Sequence, residues 1–191
     1  VVEKENYTGK QIHTPNGEVV IDFGQNIAGY VKFGFYAQAG QCITLYHGEC
    51  LDQNGNFTQE NFQAPEHRVE QCVKYICKEG WNEYKPEKSI FGFRYIKAIT
   101  DVKVTEKNFT AIAVYSDMPQ TGKFECGHPG INQLFSNAVW SMKGNFLEIP
   151  TDCPTRERTG FTGDAQVFVN TGMYLMECYP VYRKFLSELR E

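Results

Sequence analysis

The residues best suited to chemistry lie together in one charged segment, NFLEIPTDCPTRERTGFTGD, at positions 145–164. Between positions 152 and 164 it carries three carboxylates and two guanidinium groups: Asp152, Arg156, Glu157, Arg158 and Asp164. Carboxyl groups in such a cluster can transfer protons, and guanidinium groups can hold a polar substrate in place. Phe161 stands among these charges, and an aromatic ring beside polar groups suits the face of a sugar.

This segment is predicted to be an irregular loop held by a helix at each end. Four residues prevent one continuous helix: Pro150, Pro154, Gly160 and Gly163. The apolar flanks NFLEIP and AQVFV indicate that the loop lies close to a core. Loops fixed by a rigid scaffold often carry function. The simpler interpretation is a solvated charged connection, because most surface charges contribute little.

The part of the chain that precedes this loop shows the two-residue alternation of β-strands. Residues 1–17 are polar and end in the turn signal Pro15-Asn16-Gly17. Strands are then predicted at 18–23, 29–37, 41–49, 68–78, 93–100 and 109–116. Several short strands with turn signals between them, and no helical stretch among them, predict an antiparallel β-sandwich.

The pattern changes after residue 118. Residues 119–122 are a plausible linker, and 123–126 a short strand. Apolar residues then recur at helical spacing from Pro129 to Phe146, and Pro129 suits the first turn of a helix. Two further helices are predicted at 164–176, apolar nearly all round and hence buried, and at 181–190. The predicted domains are a β-sandwich at 1–118 and a helical domain that begins at 119 and continues to 191.

Composition excludes some classes of function. The formal net charge is −4, which argues against a nucleic-acid partner. No apolar run approaches the length of a membrane span, and no signal peptide opens the chain. The chain has no initiator methionine, so we expect it to be a fragment of a longer protein.

The seven cysteines do not form a recognisable framework. Their number is odd, no C-x2-C pair occurs, and the four histidines add no metal-ligand spacing. We therefore expect free thiols, no metal and no cofactor. Free thiols favour a reducing compartment, and we expect the cytoplasm.

Several motifs, in this order along the chain, resemble the bacterial α-L-rhamnosidases of glycoside hydrolase family 78. They include VIDFGQNIAGYV (20–31), GFRY (92–95), GKFEC (122–126), PTDCPTRER (150–158) and FTGDAQ (161–166). The resemblance covers nearly the whole chain from about residue 17, and the last two motifs are the most specific. It implies a β-sandwich followed by an (α/α)6 barrel, of which this chain would hold the first helices. The switch from strand to helix patterns near residue 119 agrees with this architecture.

The resemblance also implies roles for the charged loop in an enzyme that hydrolyses terminal α-L-rhamnose with inversion. Glu157 is similar to the general acid, and Asp152 and Asp164 resemble aspartates that bind sugar hydroxyls. Arg156 looks like the arginine beside them, and Phe161 stands where the family commonly has tryptophan. The loop reads Arg-Glu-Arg where many members read Arg-Asp-Glu-Arg. The base lies further along the family's barrel, so we expect this chain alone to be inactive.

Two functions from different classes follow from these observations. The first is a piece of an inverting α-L-rhamnosidase that acts on rhamnose-containing glycosides or oligosaccharides. The second is a non-catalytic carbohydrate-binding or structural module on the same fold, because a fold does not determine a function. Neither implies a nucleic-acid or membrane partner, and exposed apolar helix faces suggest a homo-oligomer.

Overall fold

The computed structural model describes residues 1–62 and 71–191. The chain divides into two compact units. One comprises Lys4–Ala113, and the other comprises Val114–Glu191 together with Val1–Glu3. The first unit is built from strands and the second mainly from helices. The predicted succession of an antiparallel β-sandwich and the helices of a second domain is confirmed.

An eight-stranded antiparallel sheet forms the β domain, with strand order β1-β8-β3-β7-β4-β5 and with β2 and β6 paired to β3. Its strands are β1 Val2–Thr8, β2 Lys10–His13, β3 Val19–Ala37, β4 Cys42–Gly48, β5 Cys72–Ile76, β6 Gly80–Tyr84, β7 Phe91–Thr100 and β8 Phe109–Tyr115. Two short 3-10 helices, Glu60–Phe62 and Glu106–Asn108, lie in the connections. The largest fully buried side chains of this domain are Phe33, Phe35, Phe93, Phe109, Ile21, Ile43, Leu45, Ile96, His47 and Gln71.

The central element is β3, which pairs with four other strands. The sequence predicts two strands here, but the backbone continues through the intervening residues with an irregularity in register between Asp22 and Ile27. Such a bulge inserts extra residues without ending the strand, and Gly24 supplies the positive φ of 78° within it. At Gly29 the neighbouring strand β8 approaches so closely that a Cβ would lie 1.9 Å from the carbonyl oxygen of Ile112.

In the described part of the β domain, the strands that the sequence did not reveal are β1, β2 and β6. Every residue of β1 and β2 is exposed or partly exposed, so neither strand presents the buried alternation by which strands are recognised. The predicted strand 68–78 corresponds to β5, and its positions 68–70 lie outside the described residues. The strand predicted at 123–126 is wrong. The backbone N–H and C=O of Cys126 bind the side chain of Asn132 instead of a neighbouring strand.

The helical unit contains α1 Pro129–Asn145, α2 Thr162–Leu175 and α3 Tyr179–Glu188, with a small hairpin of β9 Phe146–Leu147 and β10 Ile149–Pro150 after α1. The core of this unit is formed by Met118, Val139, Met142, Phe146, Ala165, Leu175, Met176, Cys178, Val181, Tyr182 and Phe185. None of the helices in the described ranges is both long enough and apolar enough to cross a membrane.

The prediction that α2 is buried all round is wrong. Its buried residues are Ala165, Gly172 and Leu175, which form one stripe, whereas Val167 and Tyr174 are each 82% exposed. The stripe packs closely because Gly172 has no side chain. A Cβ there would lie 3.3 Å from Met142 Cε on α1.

An ion pair between β3 and β7 gives a test of the sheet. Arg94 donates from Nε and Nη2 to the two carboxylate oxygens of Asp22, each at 2.8 Å. Burial acts to raise the pKa of Asp22, but hydrogen bonds from Arg94 and the Gly24 N–H lower it overall. We expect Asp22→Asn to reduce the free energy of unfolding at neutral pH by about 1 kcal/mol, since Arg94 remains partly exposed.

The same pair predicts a pH dependence. Because the pKa of Asp22 is lower in the folded state, its ionisation stabilises the folded protein at pH values above the ordinary aspartate pKa of about 3.9. This stabilisation disappears as the pH falls through the lower pKa of the folded state. In urea unfolding, the difference in free energy of unfolding between the wild type and Asp22→Asn should therefore disappear as the pH falls below about 4. Glu83→Gln, which weakens an exposed pair with Lys32, is the control and should lower the free energy of unfolding less than Asp22→Asn does. Equal losses in the two variants would contradict the prediction.

Candidate active site

The charged loop begins at the β9–β10 hairpin, which follows directly from α1. Glu148 makes the turn with a positive φ of 80°. Ser116 holds the hairpin from the side: its N–H donates to the Phe146 carbonyl at 2.8 Å, and its hydroxyl accepts from the Glu148 N–H at 3.0 Å. The hairpin fixes where the loop leaves the helical core.

Two hydrogen bonds then close the loop on itself. The Asp152 N–H donates to the Thr159 carbonyl at 3.1 Å, and the Thr159 N–H donates to Asp152 Oδ1 at 3.0 Å. Just before this, the carbonyl of Asn145 accepts from the N–H and the hydroxyl of Thr151 at 2.7 and 2.9 Å. Residues 153–158 therefore project from a fixed base as a short closed loop.

The projecting loop places Glu157 between a thiol and a guanidinium group. Cys153 Sγ donates to Glu157 Oε2 at 3.3 Å and accepts from the Arg156 N–H at 3.3 Å. Arg156 Nε lies 3.4 Å from Glu157 Oε2, and both side chains are about half exposed. The carboxyl group of Glu157 is therefore oriented by its loop and accessible to a ligand.

Asp152 is the charged anchor of the loop. Burial acts to raise its pKa, but the Thr159 N–H, the Cys153 side chain and the Glu157 side chain all hydrogen-bond to it and hold the pKa below the ordinary value. The lowered pKa keeps Asp152 ionised.

Arg158, the other arginine of the charged loop, interacts with the backbone of the loop. Its Nε donates to the Thr155 carbonyl at 3.3 Å, and its backbone has a positive φ of 53°. Burial lowers the pKa of its guanidinium group. This residue thus contributes to the folding of the loop.

Asp152 and Asp164 come together in one pocket of about 460 Å³ within the helical unit. Asp164 stands in the first turn of α2, where the helix dipole favours an anion, and Phe161 is the N-cap residue and 46% exposed. Among the described residues, the pocket is also lined by Ser141, Met142, Asn145, Phe146, Pro150, Thr151, Gly163, Ala165, Val167, Phe168 and Tyr182. Arg156, Glu157 and Phe161 are outside that lining. A second pocket, of about 650 Å³, lies between α2 and α3.

Family models match both parts of the chain. The concanavalin-like domain of bacterial α-L-rhamnosidases matches residues 12–115, and their 6 hairpin glycosidase domain matches residues 119–191. The chain belongs to the bacterial α-L-rhamnosidase family.

Relatives and solved structures agree with this membership. The α-L-rhamnosidase of Formosa agariphila is 35% identical over 179 residues, which are 92% of this chain and 19% of that protein. That of Streptomyces avermitilis is 34% identical over 194 residues, covering 100% of this chain and 18% of that protein. The crystal structure of the Streptomyces avermitilis enzyme complexed with L-rhamnose has a TM-score of 0.90 at 33% identity, and covers 98% of this chain and 18% of its own. The Aspergillus terreus enzyme has a TM-score of 0.86 at 35% identity, with 98% and 21% covered. The chain spans about a fifth of the length of the curated relatives it matches.

Among the residues that the structure describes, one group of side chains in the charged loop could hold a metal ion. Asp152, Cys153 and Glu157 each bring one ligand atom within 4.8 Å of the others. Hydrogen bonds among the three already account for their closeness. Sequence reasoning treated Cys153 only as a free thiol, because its contact with Glu157 depends on the closed loop. It also missed Asn145 and Tyr182, which carry no motif that marks them as pocket residues.

The packing beneath the charged loop gives a testable prediction. A Cβ at Gly160 would lie 2.7 Å from Phe185 Cε2 and 2.9 Å from Ile149 Cδ1. We expect Gly160→Ala to lower the free energy of unfolding by about 1–3 kcal/mol, because the loop or α3 must move. Gly144→Ala is the matched control, since a Cβ there meets no atom within 4 Å and alanine favours the helix. Thermal unfolding measures both, and a Gly160→Ala protein as stable as the Gly144→Ala protein would refute this packing.

Proposed function

We propose that this chain provides the general-acid side of the active site in an inverting α-L-rhamnosidase, which removes terminal α-L-rhamnose from glycosides. The observation that carries the proposal is the joining of Asp152 and Asp164 in one pocket, with carboxylate oxygens of Glu157 and Asp152 within 4.8 Å of each other. Family membership supplies the class of reaction. The proposed domains remain a β-sandwich at 1–118 and a segment of catalytic barrel at 119–191, and the seven free cysteines fit the proposed cytoplasmic location.

Glu157 is proposed as the general acid. It would donate its proton to the glycosidic oxygen as the bond to the anomeric carbon breaks, while a base on the opposite face activates water. Glu157 lies between groups of opposite charge, because a carboxylate oxygen of Asp152 is within 4.8 Å and Arg156 Nε is 3.4 Å from Glu157 Oε2. Exclusion of water by the bound sugar would strengthen both interactions.

The other residues are proposed to bind the sugar. Asp152 and Asp164 would accept hydrogen bonds from its hydroxyl groups, because ionised carboxylates are acceptors only. Arg156 stands on the same projecting loop as Glu157 and would contact the substrate or orient the acid. Phe161, exposed at the start of α2, would pack on the sugar face in the place of the family's usual tryptophan.

A non-catalytic carbohydrate-binding module is the alternative. It is favoured by one observation, which is that Glu157 is not among the described residues that line the pocket of Asp152 and Asp164. Such a module would bind L-rhamnose without turnover. Hydrolysis of a rhamnoside by a full-length family enzyme that carries this chain separates the two functions.

The role of Glu157 is tested by Glu157→Gln in that full-length enzyme. Glutamine keeps the size of the side chain but cannot donate the carboxylic proton, so loss of general acid catalysis should cost about 10²–10⁴-fold in rate. The loss should depend on the leaving group. The leaving group of a sugar or flavonoid rhamnoside needs protonation, so its hydrolysis should show the full loss in rate. A nitrophenolate leaves without much protonation, so the rate on a nitrophenyl rhamnoside should fall much less.

Asp152→Asn is the control for this experiment. The asparagine carbonyl can still accept from the Thr159 N–H, so the loop can stay closed while sugar binding weakens. Both substrates should then be affected alike, because hydroxyl binding does not depend on the leaving group. If Glu157→Gln slows the two substrates equally, Glu157 is a binding residue and Asp164 becomes the next candidate for the acid.

A further inference from the structure

The thiol of Cys153 links the backbone of the projecting loop to the carboxyl group of Glu157. Its Sγ accepts a hydrogen bond from the Arg156 N–H at 3.3 Å and donates one to Glu157 Oε2 at 3.3 Å. A thiol is a weak donor and a weak acceptor, and Cys153 uses both capacities within its own loop. One carboxyl oxygen of Glu157 is therefore held by a side chain that the loop itself fixes.

A second donor lies beside the same oxygen. Arg156 Nε is 3.4 Å from Glu157 Oε2, so a thiol and a guanidinium group both meet one oxygen of this carboxyl group. In a protonated carboxyl group, one oxygen carries the proton and donates it, and the other oxygen accepts hydrogen bonds. Two donors beside Oε2 therefore favour the form of the acid in which Oε1 carries the proton.

A ligand can reach Glu157 in this position. Its side chain is 43% exposed, whereas the base of its loop is closed by the two hydrogen bonds between Asp152 and Thr159. The carboxyl group is thus accessible, and its contacts limit the orientations that it can adopt. A general acid needs both properties, because its proton must lie within hydrogen-bond reach of the atom that receives it.

We propose that Cys153 is a positioning residue for the general acid: its thiol holds Oε2 of Glu157, so that Oε1 delivers the proton to the glycosidic oxygen. This inference rests on the proposed function. As the bond to the anomeric carbon breaks, its electron pair stays on the glycosidic oxygen, which takes the proton from Oε1. Water attacks the anomeric carbon and gives its proton to the base, and Glu157 remains as a carboxylate. The thiol and Arg156 stabilise the charge that develops there, because donors already in place need no reorganisation.

Cys153 also contacts a second carboxylate, which gives the inference a rival. Burial acts to raise the pKa of Asp152, and the Cys153 side chain is one of the groups whose hydrogen bonds lower it. A thiol has one proton and donates to one carboxylate at a time. Donation to Glu157 affects the departure of the leaving group, whereas donation to Asp152 affects sugar binding, so kinetics can separate the two roles.

The test compares Cys153→Ala with Cys153→Ser in the full-length enzyme, on a flavonoid rhamnoside and on a nitrophenyl rhamnoside. Alanine removes both contacts of the sulfur, whereas a serine hydroxyl can still accept and donate. We expect Cys153→Ala to lower kcat on the flavonoid rhamnoside about 5–10-fold, the equivalent of one hydrogen bond, with little change in KM. The loss on the nitrophenyl rhamnoside should be smaller, and Cys153→Ser should recover most of the rate.

Cys126→Ala is the matched control. Cys126 is also a partly buried free cysteine of the helical unit, and its sulfur contacts the His128 carbonyl at 3.7 Å. We expect this variant to keep the wild-type rate on both substrates. Thermal unfolding of each variant shows that the proteins compared are folded.

Combining Cys153→Ala with Glu157→Gln shows whether the thiol acts through Glu157. The double variant should be no slower than Glu157→Gln on the flavonoid rhamnoside, because residues that act as one unit do not contribute additively. Additive losses, equal losses on the two substrates, or a change confined to KM would overturn the inference and leave Glu157 as the acid. A folded Cys153→Ser protein that is 5–10-fold slower than wild type would overturn it too. If Glu157→Gln itself slows both substrates equally, the proposed function and this inference fail together.

Discussion

The pair of hydrogen bonds between Asp152 and Thr159 is the constraint on which the site depends. It closes a loop in which prolines and glycines prevent a helix, and for which residues 1–62 and 71–191 provide no strand partner. One oxygen of Asp152 is committed to the Thr159 N–H. Contacts with a ligand or with Glu157 therefore fall mainly to the other oxygen. A single carboxylate therefore both closes the loop and brings a negative charge to the pocket. The hydrogen bonds that it accepts within the loop lower its pKa, although burial acts in the opposite direction.

The loop is supported at both ends by elements that cannot easily move. At its start, Ser116 binds the β9–β10 hairpin through its backbone and side chain. Near its end, Gly160 lies against Phe185 and Ile149 with no room for a Cβ. A scaffold of this kind lets an irregular loop present charged groups with fixed geometry, which reactive or binding side chains require.

The elements that the sequence predicted are those with a regular pattern of apolar residues. The elements that it missed depend on contacts with one particular residue or strand. The period-two runs around Phe33 and Phe93 mark buried strands, and Pro129 marks the first residue of α1. The strands β1 and β2 bury no side chain fully, and a single Asn132 side chain replaces the strand expected at 123–126. In the site, the motifs name Asp152, Glu157 and Asp164. They do not reveal that Asp152 and Asp164 share a pocket that Glu157 does not line, because that arrangement is tertiary.

Under the proposed function, this arrangement would separate two tasks that make opposite demands on a carboxyl group. Sugar binding needs carboxylates that accept hydrogen bonds, and the hydrogen bonds that lower the pKa of Asp152 keep it ionised for that task. A general acid must instead hold a proton when the substrate is bound, and Glu157 stands half exposed between the opposing charges of Arg156 and Asp152. Water screens both charges in the open site. A sugar that covers the loop would remove that water, so both charges would act on the reacting atoms with less screening in the occupied site than in the open one.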